Sequence, residues 1–403
     1  MNALIEALMF GAGYNAALVA IGAALLGIAA GAAGSFLFLR KRALVSDAIA
    51  HATLPGVGLA FIVMVALGGD GRSLPGLLAG SALSAAAGLL VVDWLTRHTR
   101  LSEDAAIGAV LSVFFGLGVV LLTVIQTMSS GRQAGLESFL LGSTAGMLFD
   151  DAVVIAGAGA LVLAIVFVFR RPMTLAAFDP EYAAASGASV RAIDLLMMTL
   201  VMAVVVVGLK IVGLILVVAL LIIPAVTARF WTDRTDRLIL IAGIVGGLAG
   251  YFGAAISAVA PRLPTGPIIV LVAFAAFAVS LLVAPNRGML AAVVRHRAFE
   301  KRIHLRQGLL ALAREEPILD RLTLRVLRAR NLIRPDNVAT ATGRAQAARA
   351  LRDEKRWEVA RAVHPDDAVT GRYDGLTDIE TVLTPDEIAA IDERIGGPVL
   401  AAG

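Results

Sequence analysis

Residues 16–56 read AALVAIGAALLGIAAGAAGSFLFLRKRALVSDAIAHATLPG, and the first 24 of them carry no charge. A helix needs about 20 mainly apolar residues to cross the hydrocarbon of a bilayer, so this stretch is long enough to span one. The triplet Arg40-Lys41-Arg42 closes the span, and Asp47 and His51 follow inside the next apolar run. An apolar span, a basic loop and ionisable groups at the start of a second span together set the reading of the chain.

The remainder agrees with that beginning. Of 403 residues 58% are hydrophobic and 16% charged, and the mean hydropathy is +0.83, which excludes an assembly of soluble domains. Residues 1–285 hold 15 Lys and Arg and 14 Asp and Glu, whereas residues 286–403 hold 20 and 17. The chain therefore reads as a membrane body with a charged tail. It has no Cys, which excludes disulfides, thiolate metal sites, iron–sulfur clusters and a cysteine nucleophile, so any metal must be met by oxygen and nitrogen. The pI near 9.7 accompanies a net charge of only +4 and is what positively charged inner loops produce, not a nucleic-acid signature. No basic segment precedes residues 4–10, and Glu6 lies within them, so a cleavable signal peptide is not expected.

On length and apolarity the expected spans are residues 16–39, 52–67, 78–95, 105–125, 152–169, 195–209, 211–228, 238–259 and 267–284. Residues 134–149 are apolar but short and read as an interfacial or re-entrant piece, and residues 1–14 as a short amphipathic surface helix. With the N-terminus outside, 11 of the 15 Lys and Arg of the body fall in cytoplasmic loops, which also places the tail in the cytoplasm. The strained point is Lys210, where two spans would have to meet with almost no turn. One kinked helix there would give eight spans.

Ionisable groups within a span are costly and point to function. Asp47 and His51 are four residues apart, so a helix puts them on one face. Such a pair chelates a divalent cation, or else forms an Asp–His hydrogen bond at the helix end, and spacing leaves both open. Pro55-Gly56 just beyond favours a broken helix, a device of transport sites. A second signal is the loop 171–191. There Asp179 caps, Pro180 suits the first turn and Gly187 closes a short helix, read as a surface connector or a docking element for a soluble motor. Glu103 and Asp104 read as helix-capping acids, Pro224 as a kink, residues 261–267 as a stiff outer turn, His98 as a solvated loop residue and the glycines of 243–253 as packing surfaces. No phosphate-binding loop, serine-hydrolase elbow or zinc-protease motif occurs, so the chain is not expected to hydrolyse ATP itself.

The membrane body, over residues 10–290, resembles the permease subunits of bacterial ABC importers for manganese, zinc and iron. The resemblance rests on residues 43–56 (ALVSDAIAHATLPG), on residues 178–187, on Val212-Gly213 through residues 221–225 (LIIPA), and on residues 263–267 (LPTGP). It implies an all-α polytopic membrane fold of the type II importer kind with eight or nine spans. It also implies a homodimer, or a dimer with a paralogue, docked on two cytoplasmic ATPases and served by an extracytoplasmic metal-binding lipoprotein. Asp47 and His51 would be metal ligands. Phe178, Asp179, Pro180, Glu181, Ala183 and Gly187 would form the ATPase-coupling helix. No cofactor is held permanently; the metal is cargo, with Mn²⁺ favoured. Siderophore or cobalamin permeases are the neighbouring alternative, and a membrane-tethered regulator is another.

The chain then divides into a permease domain, 1–285, a basic juxtamembrane helix, 286–305, and a cytoplasmic domain, 306–403. Two short helices, residues 331–340 and a long helix over 343–363 make this last part resemble a winged-helix module of the diphtheria-toxin-repressor type. Residues 328–333 would end its recognition helix and residues 338–340 would be its wing. Its metal ligands mostly do not carry over, Thr381 standing where a His is usual, and His364 reads as a surface residue. A docking or regulatory role is expected for the tail, without nucleic acid as partner.

Overall fold

A bilayer leaves no water for unpaired peptide groups, so a chain of this composition must satisfy them within helices. The computed structural model describes residues 2–11, 13–69, 71, 73–128, 147–259, 263–363 and 373–396, in two units, Met1–Met289 and Leu290–Gly403. In the first unit the helices are α1 (Asn2–Leu8), α2 (Tyr14–Leu39), α3 (Ala43–Ala66), α4 (Leu74–His98), α5 (Glu103–Thr127) and α6 (Phe149–Phe178). There follow α7 (Pro180–Ala185), α8 (Val190–Val212), α9 (Leu214–Trp231), α10 (Thr235–Val259) and α11 (Thr265–Val283). Eight of them are long and apolar enough to cross a membrane, and α9 is shorter.

The point of strain at Lys210 is resolved three residues later. Gly213 adopts φ +80°, a conformation open to glycine, and separates α8 from α9. A Cβ on Gly208 would lie 2.5 Å from Val217, so the two helices fold back on each other across that residue. The far end of α9 returns to the basic end of the bundle, where Arg229 and Arg287 pair with Asp233 at 3.1 and 2.5 Å.

Helix α2 is the hub. It is apolar all round and packs on α10 along a seam of small residues. A Cβ on Gly27 would sit 2.1 Å from the Gly246 carbonyl, one on Gly31 2.2 Å from that of Ala242, and one on Gly250 2.2 Å from that of Ala23. The backbones touch, so Gly27→Val must force them apart. It is expected to cost at least the upper end of the about 1–3 kcal/mol usual for overpacking. Gly157→Ala, with nothing within 4 Å of its Cβ, should be neutral. Melting temperatures of the two detergent-purified variants check the contrast.

Several expectations need correction. Helix α3 runs unbroken through Pro55-Gly56. Gly56 serves close approach, since its Cβ would lie 2.1 Å from the Gly80 carbonyl of α4, and the packed neighbour holds the helix across the proline. His98 is no loop residue: it ends α4, stacked on Trp94 with Nδ1 3.0 Å from the Trp94 carbonyl. Helix α1 packs against α10, and the Tyr251 hydroxyl donates to the Leu8 carbonyl. Residues 134–146 of the expected re-entrant piece, residues 261–262 of the outer turn, and His364 lie outside the described residues.

In the second unit α12 (Met289–Ala313) runs without interruption past residue 305, so the juxtamembrane helix and the first tail helix are one. Then come α13 (Arg321–Ala329), α14 (Ala341–Val363), a 3₁₀ turn at Ile379–Thr381 and α15 (Pro385–Gly396). Leu309, Leu327, Leu332, Ile333, Ala347 and Ala350 form one small core. Trp357, Ala360, Ile379 and Ile391 form a second, with the Trp357 indole donating to the Thr377 carbonyl at 2.9 Å. Between α13 and α14 a single antiparallel bridge joins Ile333 and Ala339.

Candidate functional site

Helix α3 begins directly after Arg40-Lys41-Arg42. Its inner face, including Val45, Ser46, Ala48, Ile49, Ala52 and Thr53, is buried. Small residues fix its rotation: the Cβ of Gly88 would meet that of Ala52 at 2.7 Å, and the Cβ of Gly118 that of Leu54 at 2.6 Å. With the rotation of α3 fixed in this way, Asp47 and His51 lie one turn apart on the same side of the helix, Asp47 half-exposed and His51 turned in against Phe115 of α5. The Asp47 carboxylate is 43% exposed and the His51 ring 19%.

His51 Nε2 lies 3.5 Å from Asp47 Oδ1, longer than an ordinary hydrogen bond, so the two are adjacent without being locked together. Nδ1 of His51 is buried with no hydrogen-bond partner, and the ring meets Phe115 edge-on at 5.0 Å. The nitrogen that faces the half-exposed Asp47 carboxylate is therefore Nε2, and the unpartnered Nδ1 is on the buried side of the ring. Among the described residues no three or more His, Asp and Glu converge, so Asp47 and His51 stand as a pair, fewer than the four donors a first-row ion usually takes.

The loop expected to cap a short helix does so. In α7 the Asp179 carboxylate accepts from the Tyr182 N–H at 2.9 Å, Pro180 opens the turn, and Gly187 at φ +87° closes it with Ala188 N–H donating to Ala183 O at 3.0 Å. Ala183 is fully buried and anchors the helix, while Glu181 is exposed. Phe178 and Tyr182 are two uncovered aromatic side chains, each 61% exposed; Tyr182 was not picked out from the sequence.

Between these two features lies a network that sequence reasoning missed. Arg40 donates to Asp194 Oδ1 at 2.6 Å and to the Ala176 carbonyl at 2.9 Å. Arg42 pairs with Glu103 at 2.7 Å and reaches Asp194 at 3.3 Å. Ser102, not Glu103, caps α5. Arg191 meets Asp93 at 3.2 Å. Ala176 and Asp194 flank α7, and Arg40 and Arg42 precede α3, so a hydrogen bond and ion pairs join the two sides of α7 to the start of the helix of Asp47. An acid one residue before an expected span, Asp194, was the available signal.

The family model for the ABC 3 transport family matches residues 14–284, which is the whole helical bundle apart from α1. The chain belongs to the ABC 3 transport family. This ABC 3 chain is 43% identical over 298 residues to the manganese transport system membrane protein MntC of Bacillus subtilis, covering 74% of this chain and 67% of that one. It is 38% identical over 284 residues to the zinc transport system membrane protein TroC of Treponema pallidum, covering 70% and 94%. Among solved structures, PsaBC from Streptococcus pneumoniae in complex with Fab is similar at a TM-score of 0.61 and 30% identity, over 70% of this chain and 96% of that one. The ABC 3 match stops short of the tail.

In the tail the acids nearest to a metal-ligand pattern are already engaged. Asp353 accepts from Arg306 at 2.6 Å and from the Ile379 N–H at 2.9 Å, and Glu354 accepts from the Tyr373 hydroxyl at 2.6 Å. Burial opposes the Arg306 charge, but hydrogen bonds and the charge of Asp353 hold it above its ordinary pKa. Burial, aided by Glu354, pushes the Tyr373 phenol up. The Thr381 hydroxyl is bonded to the Asp378 carbonyl at 2.7 Å.

Proposed function

We propose that this chain is the membrane permease subunit of an ATP-driven importer of a divalent metal ion, with Mn²⁺ the favoured cargo and Zn²⁺ or Fe²⁺ served by the same donors. The observation that carries the reading is the Asp47–His51 pair, half a metal site whose carboxylate is half-exposed. A charged carboxylate on an open face at the membrane border is costly unless a partner covers it. A second copy, or a paralogue, brings two more ligands and covers it. Two carboxylates and two imidazoles suit Mn²⁺, Fe²⁺ or Zn²⁺, and the absence of thiolate removes a bias towards zinc. The manganese and zinc names of the relatives support the same cargo class.

The import cycle follows from the parts. A metal-binding lipoprotein delivers the ion from outside a bacterial inner membrane, and Asp47 and His51 take it up as water leaves. ATPase subunits grip α7 through Phe178 and Tyr182, and the ATP-bound state favours one opening of the bundle by differential contact. The Arg40–Asp194 link transmits that movement to α3. The tail, on the cytoplasmic side, serves as a docking or regulatory module.

The reading is tested by uptake of Mn²⁺, Zn²⁺ and Fe²⁺ in competition, in cells producing the complete transporter. Saturable, ATP-dependent uptake of one of them is expected. An assembled transporter that moves none of the three would end this reading.

A further inference from the structure

Six arginines, Arg302, Arg306, Arg330, Arg349, Arg352 and Arg356, line one groove of about 920 Å³ lying wholly within the second unit. Three elements supply them. Arg302 and Arg306 are one turn apart on α12, Arg330 follows α13, and Arg349, Arg352 and Arg356 share a face of α14. The lining offers only three carboxylates, Asp353, Asp378 and Glu380. Arg306 occupies Asp353 at 2.6 Å, and Arg356 takes Glu380 at 3.1 Å and Asp392 at 2.5 Å.

Arg302, Arg330 and Arg349 have no carboxylate partner among the described residues. The imbalance is regional as well as local. Residues 290–352 carry 14 Lys and Arg against five Asp and Glu, and residues 353–403 carry five against 12. Like charges gathered round a concavity repel unless an anion joins them. The guanidinium fork matches phosphate oxygens two at a time, so the missing charge is best supplied by phosphate. The volume is that of a small-molecule site, about 300–1,000 Å³, and not of a flat surface for a polymer.

We propose that this groove binds a small anion bearing more than one phosphate charge, either a soluble oligophosphate or the phosphorylated headgroup of a lipid. None of its residues belongs to the membrane unit, so the proposal does not rest on which ion that unit carries.

The test uses the full-length chain in phosphatidylcholine nanodiscs, titrated calorimetrically with sodium tripolyphosphate. Saturable binding that weakens with added salt is expected. Arg302→Gln with Arg349→Gln should weaken it about tenfold or more, the scale of one charged hydrogen bond lost. Both residues are exposed and unpaired, so folding is not at risk, and an unchanged melting temperature verifies that. Arg321→Gln with Arg325→Gln, on exposed positions outside the groove, should leave binding unchanged. No saturable binding, or equal loss in both double variants, overturns the site. Repeating the titration in nanodiscs doped with phosphatidic acid, whose terminal phosphomonoester carries more than one charge, with singly charged phosphatidylglycerol as the control for surface repulsion, separates the sources: binding suppressed further by phosphatidic acid than by phosphatidylglycerol assigns the groove to lipid headgroups, and equal binding in the two assigns it to a soluble ligand.

Discussion

Asp47→Ala or His51→Ala is expected to lower metal uptake by about 100-fold or more, since even groups that merely support a ligand cost about 10–100-fold when removed. The effect is doubled by symmetry. In a homodimer each substitution deletes two of the four ligands at once, leaving a pair too sparse to replace the water shell of the ion. The protein itself should survive. Asp47 is 43% exposed and its nearest charged partner is His51 at 3.5 Å, so its loss leaves no buried group stranded. Asp47→Asn is the sharper version: it keeps the size and removes only the charge. Uptake assays normalised to membrane-inserted protein report the difference, and wild-type uptake in Asp47→Asn would remove the carboxylate from the pathway.

The second large effect is expected at Asp194. Its side chain and that of Arg40 are only 15% and 14% exposed, and Arg40 already has a buried Nε without a partner. Asp194→Ala strands the guanidinium, and breaking a buried pair from one side costs about 3–5 kcal/mol. Against a typical stability of about 5–15 kcal/mol, that is a visible fall in melting temperature. Replacing both partners by apolar residues, Arg40→Met with Asp194→Leu, should recover most of the stability, because no lone charge remains. Uptake should stay low in the double variant if the pair transmits ATPase movement to α3. Recovered uptake together with recovered stability would reduce the pair to a structural clamp.

How far these features are legible in the sequence depends on their range. The spans are local: a run such as residues 16–39 needs only its own composition to be read, and α2 covers it. The capped helix after Asp179 is local too, since the cap, the proline and the closing glycine lie within nine residues. The Asp47–His51 pair was visible because helical spacing alone brings i and i+4 together. Arg40 and Asp194 are 154 positions apart, and nothing near either residue announces the other. Pro55-Gly56 misled for a related reason. The local rule breaks the helix, whereas contact with Gly80 of α4 holds it. Gly213 shows the limit from the other side, for a single residue with positive φ replaced the longer turn that two spans seemed to require. In the tail the helices up to residue 363 were readable from their spacing, but α15 and the joining of residues 286–305 to the next helix were not.

The central claim is that two chains share one metal ion through Asp47 and His51. Its most direct test is the metal content of the purified transporter, measured by mass spectrometry after equilibration with Mn²⁺ and removal of excess ion. One ion per pair of chains is predicted for the wild type, and none for Asp47→Ala or His51→Ala. One ion in every chain, or an unchanged content in those variants, would contradict the account.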